Sequence, residues 1–448
     1  MDKSSSLQNS PAPVYATLDE WIKQDAIPFS LDSAPSLDAC VDRLIASLDP
    51  SLKLLGLGEA LHGGEDILML RNLLFSRLVE KHGYSAIAVE SSFPRARAVN
   101  EYVAGRGPAS YDALQEAGFS HGFGRLKANR ELVEWMRAYN ADGAHRIKLR
   151  FYGFDSPTEM MYSDSPRQIL YFLLDYLASI DCPGDQEQRL RIDRLLGQDS
   201  DWENPAATMD PEKSIGLSPA AKALRIEVED LIAQLQVRRP ELVAKSGKNR
   251  YLEAMQYATL GRQLLNYHAA LAQKSDPGER IVQCLGLRDA MMADNLAYVV
   301  SQECSQGRVL AFAHNSHLQR GKAEWQLGSN QLAWWPAGAH LSLIFGPSYV
   351  VIGTAVGVSH ANGIGQPQDG TLEARLTGTT GPGRFIPTYN GQGLSASEIA
   401  ALPERSASTL NSTYFALTPQ SFTDFDWLAV LNSSEYTRGG PELVQRGK

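Results

Sequence analysis

Cysteine is scarce in this chain. Cys40, Cys182, Cys284 and Cys304 are scattered over 448 residues and form no CxxC pair. That spacing excludes a disulfide framework and leaves ordinary reduced thiols of a cytoplasmic protein. Long apolar runs are also missing. Residues 310–313 and 343–345 are among the longest, far short of the ~20 needed for a membrane helix. Positive charge is in deficit: 42 Lys and Arg against 51 Asp and Glu give a net charge of −9. A basic patch for nucleic acid or for an anionic membrane surface is therefore not expected. No apolar stretch follows Lys3, so the start does not read as a secretory leader. No internal repeat or low-complexity tract is visible.

The remaining composition is that of a globular protein, with 43% hydrophobic, 21% charged and 8% aromatic residues. A chain of this length can bury a large core without staples. Strand signals occur at residues 53–58, 85–90, 148–155 and 308–314, with helical periodicity at 65–82, 109–117 and 126–140 between them. Alternation of this kind predicts an α/β fold with a central, mostly parallel sheet flanked by helices. Strand signals vanish between about 160 and 283, where helical stretches at 168–178, 186–196, 219–236 and 249–273 are divided by a linker at 197–217. The expected organisation is a disordered lead (1–15), a first part of the α/β core (16–158), a helical insertion (159–280) and a second part of the core (281–448). After Ser342 the runs LSLIF, YVVIG, RFIPTY, TYFAL and DWLAVL read as strands.

The strands end on polar residues. The first runs into Glu59-Ala60-Leu61-His62, the second ends on Glu90, the third on Asp155, and the fourth on His314-Asn315-Ser316-His317. In open α/β sheets ligands bind beyond the carboxyl ends of the strands, so these groups define a candidate site. Arg71 falls within the apolar face formed by Ile67, Leu70, Leu74, Phe75 and Leu78. A guanidinium there needs partners, and Glu59 and Glu90 are the expected ones. A neutral histidine beside a carboxylate makes a general base near neutral pH. His62 with Glu59 or Glu90 suits that role, while His314 and His317 suit stabilisation of an oxyanion or a leaving alkoxide. His82 and His145 read as surface residues.

Other motifs compete. Gly118-Phe119-Ser120-His121-Gly122 matches G-x-S-x-G, but no strand leads into it as a nucleophile elbow requires; His121 can still reach the site. The block from Leu54 to Glu90 fails the dinucleotide fingerprint, with Leu61 at its third glycine. Glu59, His62, Glu90, His314 and His317 supply enough ligands for a divalent metal, though at no standard zinc spacing.

At these residues the chain resembles the erythromycin esterase family. The resemblance runs through residues 56–63 and 70–72, Ile87-Ala-Val-Glu90, 135–140 and Phe151-Tyr-Gly-Phe-Asp155. It continues through Arg288-Asp289 to Asn295, Ala313-His314-Asn-Ser-His317 and Phe425-Asp426-Trp427. It implies hydrolysis of a macrolactone ester by water activated at His62, without a covalent serine. It also implies functional roles for Glu59, Arg71, Glu90, His314 and His317. His121, Asp155 and Arg288 are expected to bind substrate. No cofactor is required on this reading, with a divalent metal as the open alternative. The expected partner is a small ester or lactone, and a monomer is favoured. The same scaffold could instead serve acyl transfer, cyclisation or water addition in natural-product biosynthesis, or bind a ligand without turnover.

Overall fold

The computed structural model describes residues 14–159, 162–180, 185–328 and 330–443. The expected disordered lead lies largely outside these residues, as does Cys182. Tyr15, at the end of that lead, is buried. The strands in chain order are β1 (Ile27–Phe29), β2 (Leu54–Glu59), β3 (Tyr84–Ser92), β4 (Arg150–Asp155), β5 (Thr158–Glu159), β6 (Tyr162–Ser163), β7 (Arg308–His314), β8 (Ala323–Leu327), β9 (Asn330–Trp334), β10 (Tyr349–Val358), β11 (Gly383–Pro387) and β12 (Trp427–Ser433). Among the described residues, eight strands form the central sheet in the order β1-β11-β12-β10-β2-β7-β3-β4. The block from β12 to β4 is parallel throughout, and β11 and β1 are added antiparallel. β5 with β6 and β8 with β9 make separate hairpins. The expected α/β architecture is the observed one.

β2 and β3 are buried along their whole length, as parallel strands covered on both faces must be. The helix between them, Glu65–His82, has Glu65 and Asp66 in its first turn and Lys81 and His82 in its last, a charge order that complements the helix dipole. It ends on Gly83 at φ 69°, a left-handed position that glycine fills without strain. One face of the sheet packs against this helix and against Ala34–Ala46, Phe93–Val103 and Lys127–Ala141. The other packs against Leu18–Asp25, Pro277–Glu303, Ala337–Phe345 and Leu372–Thr377. A further apolar cluster joins helices Arg167–Ala178, Asp185–Leu196, Pro219–Val237 and Lys248–Leu271 through Leu173, Ile192, Val228 and Leu264. Helix Pro277–Glu303 packs along Lys248–Leu271 and leads into β7. No helix among the described residues is long and apolar enough to cross a membrane.

Three local expectations are corrected. Residues 109–117 hold only a single 3-10 turn, Tyr111–Ala113, where tertiary contact overrides the local pattern: the buried Tyr111 hydroxyl donates to Gly124 O at 2.9 Å. LSLIF lies in helix Ala337–Phe345, with Ala337 and Leu341 buried one turn apart and Leu343 exposed. A short apolar run does not by itself distinguish strand from helix. Residues 413–417 form an irregular strap, tied by Phe415 N–H to Ala60 O at 2.7 Å and by Leu417 N–H to Glu373 Oε1 at 2.8 Å.

β2 pairs with β10 only over Leu54–Leu57. Beyond that the two strands part and the buried Asn315 side chain fills the gap. Its Nδ2 donates to Thr354 O at 2.9 Å and its Oδ1 accepts from Thr354 N at 3.1 Å. Thr354 Oγ1 in turn accepts from Ala60 N at 2.8 Å. The amide lies directly over Gly58, where a Cβ would stand 2.0 Å from Asn315 Oδ1 and 3.3 Å from its Cα. Gly58→Ala is expected to destabilise the protein by about 1–3 kcal/mol through overpacking. Chemical denaturation checks this; an unchanged midpoint would show that Asn315 can yield.

Candidate active site

Because β2, β7, β3 and β4 are adjacent and parallel, their polar ends meet on one edge. Glu59 and His314 are register partners at the ends of β2 and β7. His62 follows in the loop after β2. Its Nδ1 lies 2.8 Å from Glu59 Oε2 and its Nε2 3.9 Å from Glu90 Oε1. With the Nδ1 proton given to Glu59, the free lone pair of His62 is on Nε2. The side chain is 28% exposed, whereas that of Glu59 is buried. The ring packs 5.3 Å from Phe123 and 5.1 Å from His314, centre to centre.

Glu90 is the centre of the cluster. Its Oε2 accepts from His314 N at 2.8 Å, and its Oε1 lies 3.2 Å from Arg288 Nη2 and 3.4 Å from His317 Nε2. Arg288 also clamps Asp155 at both oxygens, at 3.0 and 2.6 Å. His317 Nδ1 meets Asp289 Oδ1 at 2.7 Å, and Asp289 further accepts from Trp334 Nε1 and Ala337 N. His121 stands at φ 57°, in the left-handed region. Its backbone N–H is held by Glu159 and its Nε2 by Asp155, at 2.9 and 3.0 Å.

These contacts separate the histidines electrostatically. Burial and repulsion from His62 push His314 down to about 3. Its Nε2–H donates to Thr413 O at 2.7 Å, while Nδ1 accepts from the Ser316 hydroxyl and N–H. Burial opposes a charge on His317 as well, but Asp289 and Glu90 outweigh it and raise its pKa to about 10. His317 is thus an imidazolium at neutral pH. Its Nε2 lies 3.4 Å from Arg288 Nη1, a repulsion offset by the surrounding carboxylates. His62 is raised above 6.5, with Glu90 and then Glu59 overcoming burial. Burial pushes Glu59 up, against the His62 bond. Glu90 is held well below the usual carboxylate range by His317, His62 and Arg288, although burial works the other way. Between Glu59 and His62 a single hydrogen bond joins the carboxylate to the ring, at 2.8 Å.

Two expected contacts are corrected. Arg71 is buried as predicted, but no carboxylate of the described residues lies within ion-pair distance of it. Its donors go to Asn129 Oδ1 at 2.7 Å and Asn72 Oδ1 at 2.7 and 3.0 Å, and its guanidinium lies 4.8 Å over the Phe312 ring. Amides satisfy its geometry, and burial lowers its pKa to about 10. Across a small cavity it faces Glu59 and Glu90. His314 was expected to donate to an oxyanion, yet both of its nitrogens are already engaged. Asp155, a candidate substrate ligand, is fully buried, with its oxygens taken by Arg288 and His121. Ser120 is buried, and its Oγ accepts from Ser92 N at 2.9 Å; it is a loop tether. Glu90, His121 and Asp155 bring ligand atoms within 4.8 Å of one another, but the Arg288 guanidinium already supplies a cation to both acids. The broader metal set read from the sequence is not gathered in this way: among the described residues the converging group is Glu90, His121 and Asp155, and His314 has its Nε2 on Thr413 O.

Asp289, Asn129 and the strap residues Asn411 and Thr413 were not predicted. Asp289 was within reach: it lies on the stripe Asp289, Met292, Leu296, Val299 of its helix, all buried, the same signal that marked Arg71. Nothing in the local pattern marks the strap.

A sequence profile of the erythromycin esterase family matches residues 79–425. The range includes Glu90, Asp155, Arg288, His314 and His317 and begins after Glu59, His62 and Arg71. Erythromycin esterase type II from Escherichia coli is 23% identical over 343 residues, covering 75% of this chain and 76% of that protein. A solved structure from Bacillus cereus superposes with a TM-score of 0.70 at 18% identity, covering 94% of this chain and 98% of the other. A succinoglycan biosynthesis protein gives 0.66 at 17% identity, with 94% and 98% covered. An erythromycin esterase variant in its open conformation gives 0.63 at 17% identity, with 88% and 93% covered. The solved structures share the fold, and the profile extends over most of the sequence: the chain belongs to the erythromycin esterase family.

Proposed function

We propose that this protein hydrolyses carboxylic esters, and specifically opens the lactone ring of macrolides, with water activated at His62. The observation that carries the reading is the Glu59–His62 pair, whose free Nε2 faces the Glu90 carboxylate in a partly exposed cleft. Water gives a proton to Nε2 as its oxygen attacks the ester carbonyl carbon. The Arg288 and His317 cations favour the negative charge that develops on the carbonyl oxygen. When the tetrahedral intermediate collapses, the ester C–O bond breaks and the His62 imidazolium returns its proton to the departing alkoxide. One water is added, and the products are a carboxylic acid and an alcohol. Asp155 and Asp289 hold Arg288 and His317 in place, and Arg71 offsets the buried charge of Glu59. The cleft beside His62 is about 370 Å3 and is bordered by His121, Phe123, Leu126, Leu410, Thr413 and Tyr436, which suits a bulky, largely uncharged substrate.

Mass spectrometry of the protein incubated with a macrolide is expected to give a product heavier by one water, also after dialysis against a chelator. His62→Ala is expected to lose at least about 100-fold in kcat, the lower range for a general base, while Ser120→Ala keeps its turnover. Activity that survives His62→Ala but not Ser120→Ala would overturn the mechanism in favour of a serine nucleophile. An unchanged macrolide would remove that substrate and direct the search to other esters and to acyl transfer.

The base acts only when neutral. A raised His62 pKa therefore places the acid limb of kcat/KM above 6.5, with activity rising as pH increases through it. Glu90 is the largest contribution that raises His62, so Glu90→Gln is expected to move the limb to lower pH. A limb that stays in place in Glu90→Gln would show that another group controls the profile.

A further inference from the structure

The backbone around His62 is held by side chains from a segment about 350 residues further along the chain. His62 N–H donates to Thr413 Oγ1 at 2.9 Å. The Thr413 hydroxyl donates to Asn411 Oδ1 at 2.7 Å. Asn411 Nδ2 then donates back to His62 O at 2.8 Å. These three bonds close a ring through both polar groups of the His62 backbone. The ring is itself fixed: Asn411 Oδ1 accepts from Thr413 N at 3.0 Å, and Asn411 Nδ2 also reaches Asn362 Oδ1 at 2.9 Å. The Thr413 carbonyl takes the His314 Nε2 proton, and the next anchor, Phe415 N–H, binds Ala60 O two residues before His62. Both strap residues also border the open cleft.

From this geometry we propose that Thr413 and Asn411 are positioning residues that set the orientation of His62 toward Glu59 and Glu90. The proposal rests on the reading of His62 as the base. The loop after β2 is irregular, so its backbone direction is not dictated by sheet or helix hydrogen bonds. The ring supplies that direction from outside. An imidazole displaced by about 1 Å would lose its line to Glu59 and to the attacking water, and errors of that size cost about 100-fold in rate. The Thr413 carbonyl also accepts the His314 Nε2–H and fixes that ring, so one residue serves two histidines by different atoms.

Three variants test this. Thr413→Val keeps the shape but removes both the acceptor and the donor of the ring. Asn411→Asp keeps Oδ1 and replaces the donor to His62 O with an oxygen. Thr413→Ser preserves the chemistry. The first readout is an NMR titration of the His62 imidazole, which needs no substrate. The groups facing that ring are Glu59, Glu90, His314 and His317. The expected result is a midpoint that falls toward 6.5 in Thr413→Val and Asn411→Asp and is restored in Thr413→Ser. The second is kinetics on the ester turned over by the wild type: about 100-fold lower kcat in the two disruptive variants, with KM little changed. Unshifted His62 midpoints in both disruptive variants would overturn the proposal, even if their melting temperatures fall. If Thr413→Val does not fold, Asn411→Asp decides alone. Because the titration is independent of turnover, a wild type inactive on macrolides would count against the proposed function and not against this assignment.

Discussion

A buried carboxylate organises this protein. Glu90 lies near the carboxyl end of β3, at the centre of the candidate site on the sheet's edge, and receives the His314 backbone amide while facing Arg288, His317 and His62. Those four groups come from three separate parts of the chain: the loop after β2, the long helix Pro277–Glu303, and the end of β7 with the turn after it. Without an anion between them, two fixed cations and a raised histidine would repel across a few ångströms. Removing one partner from a buried charge cluster costs about 3–5 kcal/mol, so the cluster shapes the edge as well as its chemistry. Asp155 and Asp289 extend the same principle outward. Each neutralises a cation that Glu90 alone could not hold.

The three histidines show how far environment can separate one residue type. His314 has its nitrogens on a carbonyl and on Ser316 and stays neutral. His317 is gripped by two acids and stays charged. His62 lies between these extremes, with one carboxylate fixing its tautomer and another tuning its basicity. The base proposed at His62 requires this intermediate condition, and it depends on the other two histidines being unavailable for the proton.

The strand ends were legible because apolar runs that stop on Glu, Glu, Asp and His are uncommon in a covered parallel sheet. The burial of Arg71 was legible from helical spacing. Its partners were not: periodicity shows that a guanidinium is buried but not whether an acid or an amide meets it, and Asn72 and Asn129 meet it. His314 misled for a related reason. Its position at a strand end was read correctly, but the carbonyl that takes its proton belongs to Thr413, on an irregular strap that leaves no periodic trace. The run LSLIF misled because a few apolar residues fit either period, and the helix it joins begins earlier, after Pro336. Contacts that lie far apart in sequence and involve no regular element are what a single chain's pattern does not encode.

One feature of the sheet bears on how the protein is made. β7 lies between β2 and β3, although it follows them by more than two hundred residues. During synthesis β2 and β3 emerge early but do not pair with each other, since the place between them belongs to a strand not yet translated. The amino-terminal third therefore cannot close its own sheet: β2 waits with both edges unpaired, and β3 with the edge that β7 fills. The helices from 167 to 271 come off the ribosome in this interval and, with an apolar cluster of their own, can collapse first. Assembly of the candidate site is thus a late event: Glu59, His62 and Glu90 are present long before the strand that brings them together.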